Sequence, residues 1–299
     1  MAKEIVEKDL AKIEQLCKQV LGVPYEKVER MGGLTNHTYR VSVPGGKEYA
    51  VRLPGEGTEE LIIRSDEKIS TGLACRLGID AKCLYFDENG SKVTEYINGA
   101  VTMSAETLKE EKHIEQVAKI FLKLHYCGEN TGVSFEVFDM AAGYEKIIYD
   151  NQVSMYDDYE AVKTTVMEIK DSVDQSCSIE KVPCHNDALC ENWVEDKNGR
   201  MYLIDWEYAG MNDGLWDLAD VSIEAEYGQG EDELLLTKYL KRKPDNQDWR
   251  HFLANKIYVD YLWTLWAKTR VPFDGQPMED WAAERYARLK RNVRKYKEV

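Results

Sequence analysis

No apolar run in this chain reaches the ~18 residues that a membrane helix needs, so a spanning segment is not expected. Positive charge is also in short supply: 39 Lys and Arg stand against 54 Asp and Glu, a net charge of −15. Nucleic-acid phosphates call for a basic face, so this balance argues against nucleic acid as a partner. It is compatible with a small cationic ligand, although acidic surfaces mostly serve solubility. The seven cysteines, at positions 17, 75, 83, 127, 177, 184 and 190, are odd in number and include no C-x-x-C pair. That pattern fits reduced thiols in the cytoplasm better than a disulfide frame or a zinc site. Internal repeats and low-complexity tracts are missing, and the charged, amphipathic opening MAKEIVEKDLAKIEQ does not read as a signal peptide. What remains is a 299-residue chain, 43% hydrophobic, long enough for two lobes with cores of their own.

The most informative stretch is residues 182–210, VPCHNDALCENWVEDKNGRMYLIDWEYAG. Within it His185, Asp187, Asn192 and Asp205 stand in order among apolar residues that can hold them still. Moving a phosphoryl group to a hydroxyl needs a carboxylate to orient the hydroxyl and accept its proton, and oxygen ligands for the metal that neutralises developing charge. Asp187 suits the first task. Asn192, five residues on, can turn its amide oxygen to Mg²⁺, which takes a few oxygen ligands and keeps water and phosphate for the rest. The chain then reverses at Asp196-Lys197-Asn198-Gly199 and returns through Met201-Tyr202-Leu203-Ile204, a hairpin that would deliver Asp205 as a second ligand. Singly, Asp187 would pass for a helix cap and Asp205 for the end of a strand. Four such residues in order, with a hairpin between them, point to a phosphoryl-transfer site.

The same His, Asp and Asn spacing occurs in the protein-kinase catalytic loop H-R-D-L-x-x-x-N, and Asp205 stands where the DFG aspartate does. Here Asn186 replaces the Arg and Trp206-Glu207 the Phe-Gly. A helix follows at once, leaving no room for an activation segment or A-P-E element, so a peptide substrate is not expected. HND, four residues, Asn, then IDWEYAG and Trp216-Asp217 together resemble the choline/ethanolamine kinases, most closely the bacterial choline kinases. The resemblance covers most of the chain. It implies an α+β, two-lobed, protein-kinase-like fold shared with aminoglycoside phosphotransferases, ATP as donor, Mg²⁺ as cofactor and choline as acceptor. Residues 1–97 would form the nucleotide-binding lobe, with a hinge at about 95–99, and residues 98–299 the helical lobe that carries catalysis and acceptor binding.

The order of elements agrees. Val6, Leu10, Ile13, Cys17 and Val20 at helical spacing open the chain, and Val28–Met31, Asn36–Val43 and Glu48–Leu53 then read as three antiparallel strands. In GGLTNHTY, between the first two, Gly33 lets backbone approach a nucleotide while Thr35 and Asn36 offer donors, although G-x-G-x-x-G is absent. In YAVRLPG, Arg52 stands where a protein kinase has its lysine, and its guanidinium can grip phosphate bidentately. A helix follows whose Leu61, Ile62, Ile69, Leu73 and Leu77 can face the sheet, and Glu67 on it is the candidate partner for Arg52, with Glu59, Glu60 and Asp66 as competitors. A closing hairpin ends at Glu95-Tyr96-Ile97, where lobe order and resemblance put the adenine edge. From Ser104 the chain turns helical, with Thr107–Cys127 read as one helix. His125 on it is read as supporting the loop, as resemblance suggests for Asp217, and Cys184 and Cys190 as packing residues.

A quaternary ammonium donates no N–H hydrogen bond, so aromatic faces and a nearby carboxylate must hold it, each face contributing about 2 kcal/mol when desolvated. Trp263 and Trp266 lie three apart and share a helix face. By resemblance, Tyr208, Glu224, Trp263 and Trp266 wall the acceptor pocket, with Tyr227 a further candidate. Trp281 and Tyr286 either close that pocket or pack the core. Ethanolamine, thiamine or an aminoglycoside stay open as acceptors, as does an inactive ligand-binding sensor. Aminoglycosides would call for many carboxylates instead of aromatic faces. The oligomeric state is not legible.

Overall fold

The structure, a computed structural model, describes residues 5–32, 36–55 and 62–298. Gly33 and Thr35 of the expected phosphate loop, together with Glu59, Glu60 and Leu61, lie outside the described residues. The chain forms two compact units, one of Met1–Met103 and Glu191–Ala209, the other of Ser104–Cys190 and Gly210–Val299. The first unit thus extends past residue 97 and takes back a later segment, the one that carries Asn192 and Asp205.

The first unit opens with helix α1 (Glu7–Leu16), prolonged by a π-helical turn to Leu21, and strands β1 (Lys27–Gly32), β2 (Asn36–Val43) and β3 (Lys47–Pro54). Helix α2 (Arg64–Leu77) and strands β4 (Cys83–Phe86), β5 (Lys92–Glu95) and β6 (Val101–Thr102) follow. The sheet is antiparallel in the order β1-β2-β3-β5-β4. Side chains alternate across a strand, so one face of β2 and β3 presents Tyr39, Val41, Val43, Val51 and Leu53. These pack with Ile13, Leu16 and Cys17 into one core. Arg52, one residue out of phase with Val51 and Leu53, must point to the opposite face, and there α2 meets it.

That face is polar, and it changes what α2 buries. Glu67, Ser70, Thr71, Leu73 and Ala74 are buried, whereas Ile69, expected against the sheet, is exposed. A helix normally buries its apolar stripe. This one turns carboxylate and hydroxyl groups inward because the strands opposite carry Arg52 and Lys92, both buried and paired across β3 and β5.

The second unit begins with α3 (Ala105–Leu108), α4 (Glu111–His125), α5 (Val137–Asp150), α6 (Tyr159–Ser176) and strand β7 (Lys181–Cys184). The single helix expected over 107–127 is two. The Thr107 carbonyl accepts from Glu110 N at 3.2 Å and bonds to His113 Nδ1 at 2.6 Å, so it does not propagate an α-helical ladder. The chain then enters the first unit as a hairpin, β8 (Trp193–Glu195) and β9 (Met201–Leu203), with Trp193 opposite Leu203. Asp196 closes its turn by accepting from Asn198 N and Arg200 N. Back in the second unit come β10 (Gly210–Asp213), which pairs with β7, and helices α7 (Gly214–Glu224), α8 (Gln229–Leu240), α9 (Asn246–Asp274) and α10 (Gln276–Tyr296). Helix α9 is nearly all buried in its middle and packs against α10, α7 and α5.

Candidate active site

In the first unit Arg52 is the hub. Its Nη2 donates to Glu67, the pair expected from the sequence, and its Nη1 donates to Asp205 Oδ1 at 2.7 Å. Burial works against the guanidinium charge, but the carboxylates of Asp205, Glu67 and Glu207 outweigh it and hold its pKa above the ordinary value. The other Glu67 oxygen accepts from Arg64 Nη1 at 2.7 Å, and Lys92 Nζ lies 3.9 Å from Glu67 Oε1. Gly90 makes room for this cluster. It sits at φ +93°, and a Cβ there would come within 2.6 Å of Arg64 Nε.

Asp205 follows β9 with φ +68°, a left-handed conformation that aspartate tolerates better than most residues and that recurs at functional sites. Ile204 N donates to Asn192 O at 2.9 Å, so the hairpin ends on the two residues expected to bind metal. Asn192 is buried, while the Asp205 side chain keeps 32% of its surface open. Asn36, expected to offer donors to a nucleotide, instead gives its amide N–H to Glu207 Oε2 at 2.9 Å. Glu207 was not singled out in the sequence. Burial, with the Asp205 charge adding to it, pushes its carboxyl up to about 7. At the expected hinge, Tyr96 N donates to Glu48 O and Ile97 O accepts from Ala100 N, while Ile97 N has no hydrogen-bond partner among the described residues. The Glu95 side chain is exposed.

The second unit carries the loop HND between β7 and the chain's exit. His185 and Asn186 are completely buried and Asp187 is half-buried. Asp217 on α7 accepts from His185 N and Asn186 N, both at 2.8 Å, which is the bracing expected of it. Asn186 adopts φ +66°, receives Asn212 Nδ2 on its side-chain oxygen and Trp216 Nε1 on its carbonyl. His185 Nδ1 accepts the N–H of Asp187, so this ring holds backbone. One turn along α7 from Asp217, Asp220 accepts from Ala188 N at 2.5 Å. Its carboxyl is pushed well above the ordinary range by burial and by the nearby charges of Glu224 and Asp187. Two carboxylates, i and i+3 on one helix, therefore fix the N–H groups on both sides of Asp187. Asp217 was legible from the Trp-Asp pair; Asp220 was not.

His125, Cys184 and Asp217 bring potential ligand atoms within 4.8 Å of one another. The chemistry there is structural. His125 Nε2 lies 3.0 Å from Asp217 Oδ2 and its Nδ1 2.8 Å from Tyr239 Oη, so both ring nitrogens are engaged. Gly214 allows this packing, since a Cβ there would sit 2.8 Å from Tyr239 Oη. Asp217→Asn tests the brace: one amide N–H₂ then faces a backbone donor, and a buried unmet donor costs about 1–3 kcal/mol. We expect a loss of that size in urea unfolding, together with lowered turnover.

The expected acceptor residues are also placed. Trp263 and Trp266 meet edge to face at 6.1 Å, and Trp266 meets Trp281 the same way at 6.0 Å, giving a run of three indoles across α9 and α10. Trp266 Nε1 is buried without a hydrogen-bond partner among the described residues. Glu224 ends α7 with its side chain 14% exposed. Tyr227 is buried and its hydroxyl donates to Leu108 O at 2.8 Å, which ties the segment after α7 to α3. Tyr286 stacks on Tyr156 at 4.1 Å and belongs to the core. Tyr208 lies in the first unit, three residues after Asp205, and is half-buried.

Comparison with known proteins gives a consistent picture. Residues 28–264 match the family described as choline/ethanolamine kinase. Protein LicA of Haemophilus influenzae is 28% identical over 276 residues, covering 88% of this chain and 78% of LicA. The crystal structure of choline kinase LicA from Streptococcus pneumoniae superposes with a TM-score of 0.82 at 30% identity, over 97% of this chain and 100% of that one. A structure of LicA in complex with AMP gives 0.80 at 30% identity over the same shares.

Proposed function

The chain belongs to the choline/ethanolamine kinase family and is an ATP-using kinase, and on that premise we propose that its acceptor is choline, phosphorylated to phosphocholine. The observation that carries this reading is the run Trp263, Trp266 and Trp281, aromatic surface of the kind that holds a quaternary ammonium. Glu224 supplies a carboxylate in the same unit. Asp187 orients the choline hydroxyl and takes its proton as that oxygen bonds to the γ-phosphorus and the bond to ADP breaks. The two carboxylates of α7 hold the backbone around Asp187 in place for that task. Arg52, positioned by Glu67, grips phosphate oxygens. Ile97 N–H, with the Glu95 backbone, meets the adenine edge.

Asn192 and Asp205 would hold Mg²⁺. The donor set fits: a carboxylate and an amide oxygen are hard ligands, and the Asp205 side chain is open enough to be reached. Bound there, the ion would neutralise charge on the transferring phosphoryl group. The seven free cysteines support a reducing compartment, the cytoplasm, and no described helix is long and apolar enough to cross a membrane.

Ethanolamine is the second reading, because Glu224 offers an acceptor that a primary ammonium can use. ADP release measured on choline and ethanolamine separates the two: higher kcat/KM on choline is expected, and higher kcat/KM on ethanolamine reverses the assignment. Trp266→Ala should raise the choline KM roughly 10- to 30-fold with the ATP KM unchanged, the loss of one desolvated cation–π face.

A further inference from the structure

Beside the three indoles lies a cation of the protein's own. Arg285, four residues after Trp281 on α10, is 3% exposed and its guanidinium carbon sits 3.8 Å from the Trp281 ring centroid. Its Nη2 donates to Glu224 Oε1, and its Nη1 lies 3.6 Å from Asp260 Oδ1. Asp260 is already held by Arg288, through Nη2 at 2.7 Å and Nε at 2.9 Å. Arg285 therefore directs its charge at Glu224 and at one face of Trp281, the two kinds of group that a cationic acceptor would seek.

Resting on the choline reading above, we propose that Arg285 sets the enzyme's preference for a quaternary over a primary ammonium. A primary ammonium draws its binding from hydrogen bonds to a carboxylate, and Arg285 already occupies one oxygen of Glu224 with an opposite charge beside it. A quaternary ammonium makes no such bonds: it feels Glu224 only as a charge and takes the larger part of its binding from the indole faces of Trp263 and Trp266, and the Arg285 guanidinium lies over Trp281. The buried guanidinium thus penalises ethanolamine-like acceptors more than choline-like ones. A donor carried into a buried site where its acceptor is already engaged gives up its bonds to water without full replacement, and that loss is the source of the discrimination.

The test is the ratio of kcat/KM on choline to kcat/KM on ethanolamine. Arg285→Met keeps the stem that packs on Trp281 and frees Glu224, and the ratio should fall about tenfold. Arg285→Lys, which holds Glu224 with a single point charge, should fall about twofold. Arg288→Met breaks the same Asp260 network, removes no hydrogen bond to Glu224 and takes away only a more distant charge, so it should lower the melting temperature while moving the ratio less than about twofold. An unchanged ratio in Arg285→Met, or in Arg285→Lys if the Met variant does not fold, overturns the proposal. So does an equal fall in Arg288→Met, which would mark a general loosening of α9 and α10. Turnover of choline by the parent enzyme tests the acceptor reading by itself, whatever the ratio does in the variants.

Discussion

Replacing Asp187 with alanine should lower kcat by about 10²- to 10⁴-fold, the range spanned by a positioned general base, with the affinity for ATP kept. The structure explains why the loss should be confined to chemistry. The loop is held by its backbone, with Asp217 receiving the N–H groups of His185 and Asn186, Asp220 that of Ala188 and His185 Nδ1 that of Asp187 itself. These contacts run to backbone N–H groups and not to the Asp187 carboxylate, so they persist when it is truncated. Single-turnover rates together with an ATP-binding titration check the point. Turnover within threefold of the parent enzyme would remove Asp187 from its assigned role.

Asp205→Asn should lower kcat by about 10²- to 10³-fold, the scale seen when one electrostatic contact to a transition state is lost, and should raise the Mg²⁺ concentration needed for half-maximal rate. Asparagine tolerates the left-handed backbone at this position, so the turn after β9 survives. Arg52 loses the anion bonded to one nitrogen and keeps Glu67 on the other, with the Glu207 charge still acting on it. The fold is therefore expected to persist, and a circular-dichroism melt separates a lost ligand from a lost structure. An unaltered Mg²⁺ requirement would remove Asp205 from the metal site.

What could be read in the sequence were residues whose role is set by their neighbours in the chain. Asn192 and Asp205 stand at the two ends of one tight hairpin, so their sequence spacing carries spatial meaning. Arg52 was legible because strand alternation sends it away from Val51 and Leu53. Glu67 was one of several acids until α2 was seen to bury its polar face; Ile69 then followed outward, against the expectation from its hydrophobicity. Glu207, Asp220 and Arg285 were invisible for the same physical reason. Each is a charged residue that, by sequence, belongs at a solvated surface, and each is buried only because a distant segment supplies its partner: Asn36 for Glu207, Ala188 N–H for Asp220, Glu224 for Arg285. The break between α3 and α4 escaped notice because it depends on a histidine ring bonding to a carbonyl six residues back.

The most direct measurement is ³¹P NMR of the enzyme mixed with ATP, Mg²⁺ and choline. A phosphomonoester resonance that grows in step with ADP, and that does not grow when choline is omitted, is the expected result. ADP accompanied by inorganic phosphate alone, or no change in the ATP signals, would contradict phosphoryl transfer to choline by this chain.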